Sequence, residues 1–168
     1  MRIVAFFICI ATLSSCGLQV PFLEFDITNS NSVMTAQPYI GLEERTNRRE
    51  LHQLTGVDPV STEWCAAFVN AVLELDNIPG SDSVSDVPLM ARSFLFWGER
   101  VEPADIQRGD VVVFPRGNQG WQGHVGFYVG ASVIDNIDYY WILGGNQNDK
   151  VSIEAYPAYK AIGIRRVW

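Results

Sequence analysis

Apolar residues change their spacing along the chain, from a helical period before residue 100 to a strand period after it. Between residues 61 and 75 they recur three and four positions apart, which is the spacing of one helix face. Ser61 is a suitable N-cap and Pro79 follows the last apolar position, so the pattern predicts a helix over 61–75. Its apolar face is expected to pack against the rest of the protein. The residues of this face are Cys65, Phe68, Val69, Val72 and Leu73.

Two further helices are predicted from less regular patterns. Residues 42–54 carry leucines near one face, and Gly56 offers a C-terminal stop. Residues 90–97 form a short apolar run that ends at Gly98, another residue suited to cap a helix. Residues 17–37 show neither period and are interpreted as a tether or a loosely packed arm.

From residue 110 onward, β-rich runs alternate with glycine, proline, asparagine and aspartate, which favour turns. Helices that come first in the chain, followed by consecutive strands, indicate an α+β fold. The helices are expected to pack on an antiparallel sheet of about five strands. By length, residues 38–168 form one domain. The predicted strands are 110–114, 123–130, 138–144, 151–156 and 161–167.

The N-terminal residues have the pattern of an export signal. A positively charged start precedes an apolar run over 3–13, within the ~7–15 residues of a signal peptide and short of the ~20 that span a bilayer. Residues 13–16, Leu-Ser-Ser-Cys, resemble a bacterial lipobox, which implies removal of a 1–15 signal peptide and acylation of Cys16. Acyl chains would anchor the exported protein to a membrane through a 16–37 tether. The alternative is an ordinary signal peptide cut nearby.

The composition argues against two classes of function. The formal net charge is −7, whereas nucleic-acid binding needs clustered lysine and arginine. The chain has two histidines and three cysteines, without a His-Glu-x-x-His or Cys-x-x-Cys motif, so neither a metal nor another cofactor is expected. If Cys9 is removed with the signal peptide and Cys16 is acylated, Cys65 has no disulfide partner within the chain.

A cysteine and a histidine are the main candidates for chemistry. Cys65 lies in the first turn of its predicted helix, where backbone N–H groups and the helix dipole favour the thiolate and lower the pKa of the thiol. The same N–H groups are expected to stabilise an oxyanion. Strand alternation puts His124 on one sheet face and Val125 and Phe127 on the other, and Gly126 leaves space for another element. If the helix packs on the His124 face, thiol and imidazole meet and support nucleophilic catalysis.

The register of a predicted hairpin supplies a third residue. A hairpin centred near residue 134 places His124 opposite Gly144 and within about two residues of Asn146. An amide oxygen at that point would accept a hydrogen bond from the imidazole and fix its tautomer. Asn146 is therefore predicted as the third member of the site. Gln147, Asn148 and Asp149 lie close enough to remain alternatives.

Four segments around these residues carry a resemblance to a known family. They are 64–70, Trp-Cys-Ala-Ala-Phe-Val-Asn; 108–114, Arg-Gly-Asp-Val-Val-Val-Phe; 121–130, Trp-Gln-Gly-His-Val-Gly-Phe-Tyr-Val-Gly; and 143–147, Leu-Gly-Gly-Asn-Gln. In order and spacing they resemble the NlpC/P60 and CHAP group of papain-like cell-wall hydrolases, in particular a branch associated with phages and bacteria. The resemblance extends from about residue 60 to the C-terminus.

The resemblance implies a papain-like fold in which Cys65 is the nucleophile, His124 the base and Asn146 the polar third residue. It implies cleavage of peptidoglycan, by an endopeptidase of the stem peptide or an N-acetylmuramoyl-L-alanine amidase. Many NlpC/P60 members have a second histidine at the third position, so Asn146 is closer to the CHAP pattern. Trp64 and Trp121 are candidate walls of the substrate cleft, although packing within loops explains such residues equally well.

Two classes of function follow from the sequence. The first is an exported, lipid-anchored cysteine hydrolase of peptidoglycan that forms a thioester intermediate. The second is a non-catalytic envelope lipoprotein that binds wall peptides in the same cleft. Another thiol acyl transfer, on a lipid or a protein amide, stays open. By analogy with the family, the residue after Cys16 favours an outer membrane and a periplasmic orientation, and the protein is expected to be a monomer.

Overall fold

The computed structural model describes residues 31–167, which form helices and a six-stranded sheet. The α-helices are α1 Asn31–Ala36, α2 Arg48–Thr55 and α3 Cys65–Leu75. The strands are β1 Glu99–Arg100, β2 Val111–Pro115, β3 Gly123–Ile134, β4 Ile137–Gln147, β5 Lys150–Pro157 and β6 Gly163–Arg166. Short 3₁₀ helices connect them, and the third of these lies where the sequence predicts a short apolar helix. They are Gln37–Tyr39, Ser81–Ser83, Ala91–Phe96, Pro103–Asp105 and Ala158–Lys160.

The sheet is antiparallel throughout, in the order β1-β6-β2-β3-β4-β5. β3 and β4 form a long hairpin closed by Asp135 and Asn136, whose positive φ values of 50° and 60° are typical of a type I′ turn. The predicted α+β class is confirmed, and each of the five predicted strands is present. The additional strand, β1, has two residues and is too short to leave a period in the sequence.

The predicted helix boundaries are correct at the C-terminal ends and wrong at the N-terminal ends. α3 begins at Cys65 rather than near Ser61, whose hydroxyl donates to Asp58 Oδ2 at 3.2 Å instead of capping the helix. Of the helix predicted over 42–54 only α2 forms, and Gly56 ends it in the left-handed region with φ 73°. The predicted apolar face of α3 is buried along its whole length.

Apolar side chains pack on both faces of the sheet. α3 covers one face of the sheet. On this face Val125 and Phe127 pack with the apolar side chains of α3 in one buried cluster. The far face carries a second cluster that includes Phe114 and Ile142. The predicted alternation of β3 is therefore confirmed. The helix, however, lies on the face opposite to the ring of His124, which stacks among the side chains of the far face.

The packed domain begins earlier than predicted. Val33 and Ala36 on α1 are buried in the same cluster as α3, so residues 31–36 of the predicted 16–37 tether belong to the domain. A helix of 6 residues is too short to show a period in the sequence. The predicted signal peptide, Cys16 and the rest of the tether lie outside the described residues. Within 31–167, no helix is long and apolar enough to cross a membrane.

Candidate active site

Cys65 is the first residue of α3 and lies at the floor of a groove. It is 3% exposed, and it is the one cysteine within the described residues. Backbone hydrogen bonds from Ala66 and Val125 reach the thiol. The thiol borders the groove, and nearly all of its surface is covered. The groove has a volume of about 340 Å³, and its lining includes Cys65, Glu63, Met90, Arg116, Trp121 and Asn146.

A close approach between α3 and β4 explains the position of the thiol. A Cβ atom on Gly145 would lie 2.5 Å from Cζ3 of Trp64 and 2.7 Å from Cβ of Phe68, so glycine is required there. Gly126, which the sequence suggested as the gap for the helix, instead faces Ile142 on β4. The first turn of α3 therefore packs against the end of β4.

His124 is the residue before the Val125 amide that binds the thiol. It is 2% exposed and stacks on the ring of Tyr156, with centroids 5.2 Å apart and planes at 19°. Tyr156 in turn stacks on Phe114, with centroids 4.8 Å apart. The Val125 nitrogen is bonded to the carbonyl carbon of His124, so the sulfur lies beside the peptide that joins these two residues. The thiol therefore borders the backbone of His124, whereas the imidazole stacks on the far face of the sheet, so the predicted packing of the helix on the imidazole face is wrong.

Gln147 determines which nitrogen of the imidazole carries the proton. Its Nε2 donates to the carbonyl oxygens of Ser152 at 2.6 Å and Ile142 at 3.2 Å, which accept only. Its Oε1 must therefore face the other way, and it lies 3.0 Å from Nε2 of His124. An amide oxygen cannot donate, so Nε2 of His124 is protonated and Nδ1 has a free lone pair. That Nδ1 is buried and has no hydrogen-bond partner among the described residues.

The side chain of Asn146 is engaged elsewhere, so the prediction that it orients the imidazole is wrong. Its Nδ2 donates to Oε2 of Glu63 at 2.7 Å, and its backbone oxygen accepts from Arg116 at 2.8 Å. Gln147, one of the alternatives that the sequence left open, contacts the imidazole instead.

The end of the hairpin explains why the neighbouring residue takes this role. Phe127 pairs with Leu143, about two residues from the predicted register, and a continuation of this pairing would set His124 opposite Asn146. β4 then has an irregularity between Gly144 and Gln147 in its pairing with β5, where Asn146 has φ 56°. An irregularity of this kind redirects the side chains that follow it. Strand alternation alone predicts neither feature.

Both reactive groups are uncharged at neutral pH. Burial raises the pKa of the Cys65 thiol, and the charge of Arg116 and two backbone amides oppose it only in part. This is the reverse of the lowered pKa expected at a helix N-terminus. Burial lowers the pKa of His124 to about 4; the charge of Arg116 lowers it further and the bond to Gln147 opposes the shift. The site therefore holds a thiol and a neutral imidazole rather than an ion pair.

The two tryptophans predicted as cleft walls have different environments. Trp64 is 0% exposed and packs edge to face on Phe68, so it belongs to the core and the prediction for it is wrong. Trp121 is 60% exposed and lines the groove. Its position is therefore compatible with a substrate contact.

Two charged residues of the groove were not predicted from the sequence. Arg116 follows β2, and its NH1 lies 3.4 Å from Oε2 of Glu63. Burial raises the pKa of Cys65 and of Tyr156 and lowers the pKa of His124; the positive charge of Arg116 opposes the first two shifts and adds to the third. A single arginine after a strand has no distinctive pattern. Its place one residue beyond the end of β2, on the strand paired with the histidine strand, was the signal that could have identified it.

Known proteins and metal chemistry add no further constraint on the site. No protein-family model matches the chain, and no curated protein is significantly similar to it. Within the part of the chain that the structure describes, no three histidine, cysteine, aspartate or glutamate side chains are grouped so as to hold a metal ion.

Proposed function

We propose that this protein is an exported cysteine hydrolase with a papain-like fold, which cleaves a peptide or amide bond of peptidoglycan through a thioester. The observation that carries the proposal is the arrangement of Gln147, His124 and Cys65. An amide fixes the tautomer of an imidazole, and the adjacent thiol faces a groove. All three residues lie in the segments that resemble NlpC/P60 and CHAP hydrolases.

The first half of the proposed reaction acylates the thiol. Nδ1 of His124 takes the proton of the Cys65 thiol while the sulfur attacks the carbonyl carbon and the C–S bond forms. The Cys65 N–H lies at the first position of α3, where N–H groups lack an intrahelical partner, and it stabilises the oxyanion. The imidazolium then gives its proton to the leaving nitrogen as the C–N bond breaks.

The second half hydrolyses the thioester. Water attacks the acyl carbon, Nδ1 of His124 takes a proton from the water, and the C–S bond breaks as the sulfur regains a proton. Because the pKa of His124 is about 4, the imidazolium exists only briefly and acts at the moment of transfer. Gln147 supports both halves, since its oxygen accepts from Nε2–H in the neutral and in the charged ring.

The proposed location is the bacterial envelope. The lipobox-like segment that ends at Cys16 supports export and anchoring through acyl chains. Peptidoglycan is then the substrate that an anchored domain of this size can reach, and we infer that the protein acts as a monomer at the outer membrane, facing the periplasm.

A non-catalytic lipoprotein that binds wall peptides is the second candidate. The burial of the reactive pair favours it, because Cys65 and His124 are both almost completely covered. Burial also raises the pKa of the thiol, and a protein that only binds peptides needs no thiolate. Turnover of peptidoglycan separates the two functions.

The test is release of soluble fragments from purified peptidoglycan, measured by mass spectrometry. We expect release by the unmodified protein and none above background by Cys65→Ser or His124→Ala, with circular dichroism showing that both variants are folded. His52→Ala removes the other histidine, which is exposed on α2, and is expected to retain full release. Equal release by Cys65→Ser refutes the hydrolase. Binding without release by the unmodified protein supports the second candidate.

A further inference from the structure

Glu63 is exposed, yet its carboxylate is held against the wall of the groove. Its side chain is 81% exposed. One oxygen, Oε2, accepts from Nδ2 of Asn146 at 2.7 Å and from NH1 of Arg116 at 3.4 Å. The carboxylate of Glu63, in the segment before α3, therefore accepts hydrogen bonds from Asn146 and Arg116 at one oxygen.

The guanidinium of Arg116 is held in place independently of Glu63, and burial restricts the Asn146 side chain. NH2 of Arg116 donates to the backbone oxygen of Asn146 at 2.8 Å, which links the guanidinium to the end of β4. Asn146 itself is buried. Removal of the Glu63 carboxylate would therefore leave a guanidinium and an amide facing the same point. Arginine and amide N–H groups in such an arrangement are suited to bind a carboxylate.

This point is next to the thiol. The positive charge of Arg116 lowers the pKa of Cys65 and the negative charge of Glu63 raises it, so both charges act on the sulfur. All three residues line the same groove. An exposed ion pair is weakly held in water. Another carboxylate can therefore replace that of Glu63 at little cost.

We propose that Arg116 and Asn146 form a carboxylate-binding subsite next to Cys65, which Glu63 fills until a peptide with a free carboxylate displaces it. The inference rests on the proposed function for the reaction and adds its substrate class. That class is acidic peptides whose carboxylate lies beside the bond that is cut. Asp149 lines the same groove, so preference for a cationic group is the competing outcome.

Binding is tested first, without turnover. The full chain with Cys65→Ala is titrated calorimetrically with two muramyl tripeptides that differ only in whether the α-carboxyl of the second residue is free or amidated. A second pair differs in the same way at the C-terminus. In at least one pair we expect the free carboxylate to bind about tenfold more tightly. Adding Arg116→Gln should reduce that preference to less than about twofold, and Arg116→Lys should retain part of it.

The role of the resident carboxylate is tested with a matched pair of variants. Glu63→Gln removes the competing charge and is expected to tighten binding of the carboxylate peptides about threefold. Asp149→Asn removes an equal charge elsewhere in the groove and is expected to have a smaller effect. Equal binding of the free and amidated forms, preference for the amidated forms, or no binding of either overturns the proposal.

Hydrolysis distinguishes this proposal from the one on which it rests. If the unmodified protein releases no fragments while Cys65→Ala keeps its preference for the free carboxylate, the hydrolase is wrong and the subsite remains. If the unmodified protein hydrolyses free and amidated peptides with equal kcat/KM, the hydrolase remains and the subsite is wrong.

Discussion

Burial of His124 makes the free energy of unfolding depend on pH. The pKa of its ring is 6.5 in an unfolded chain and about 4 in the fold, because burial disfavours the imidazolium. Between these values the unfolded state binds a proton that the folded state does not bind. The free energy of unfolding therefore falls as the pH decreases from 6.5 towards 4. At 1.36 kcal/mol for each pKa unit, the total loss is about 3 kcal/mol.

Urea unfolding at about pH 7 and at about pH 4 measures this loss. His124→Gln keeps a polar side chain that does not titrate, so on acidification the variant is expected to lose about 3 kcal/mol less than the parent. Contributions from carboxylates are shared by both proteins and cancel. The NMR titration of the imidazole, assigned with His52→Gln, gives the pKa of His124 directly. A pKa of His124 near its ordinary value would contradict the prediction that the imidazole is buried and neutral. An equal loss of unfolding free energy in parent and variant would contradict it as well.

Three other predictions concern the thiol and two buried polar groups. Gln147→Leu leaves the imidazole N–H without an acceptor, which we expect to lower the free energy of unfolding in urea by about 2 kcal/mol, whereas Gln53→Leu on the exposed face of α2 leaves it unchanged. Alkylation of Cys65 by iodoacetamide is expected to be slow near neutral pH and to accelerate in alkali, because burial raises the pKa of the thiol; rapid labelling at neutral pH contradicts this. Asp110→Asn weakens the two hydrogen bonds of 2.7 and 2.8 Å that Arg166 donates to Asp110, and we expect the free energy of unfolding to fall by about 3 kcal/mol. Thermal unfolding checks this, and an unchanged Tm would show that the pair contributes nothing.

Features that depend on local periodicity were predictable from the sequence. The apolar stripe that contains Cys65 and Phe68 is buried along α3, as its spacing predicts. Val125 and Phe127 lie on the face opposite to that of His124, as strand alternation predicts, but the helices cover their face rather than the His124 face. The positions of Cys65 at the start of α3 and of His124 on β3 were therefore predictable, because each lies on a regular element.

Features that depend on contacts between distant segments were not predictable. Trp64 is buried because Gly145, far along the chain, lets β4 pack against it. The partner of the imidazole is Gln147 rather than Asn146 because β4 is irregular between Gly144 and Gln147. The pKa of Cys65 is raised because burial by the whole fold outweighs the effect of the helix N-terminus. Pattern and spacing contain none of this information.

The mass of Cys65 during turnover reports directly on acyl transfer to the thiol. The purified protein is mixed with peptidoglycan fragments, quenched in acid after a short interval, and digested for mass spectrometry. We expect a peptide in which Cys65 carries an acyl group from the wall peptide, and we expect His124→Ala to lack it. Accumulation of cleaved fragments while Cys65 stays unmodified, or an equal adduct in the His124 variant, would contradict acyl transfer by this pair.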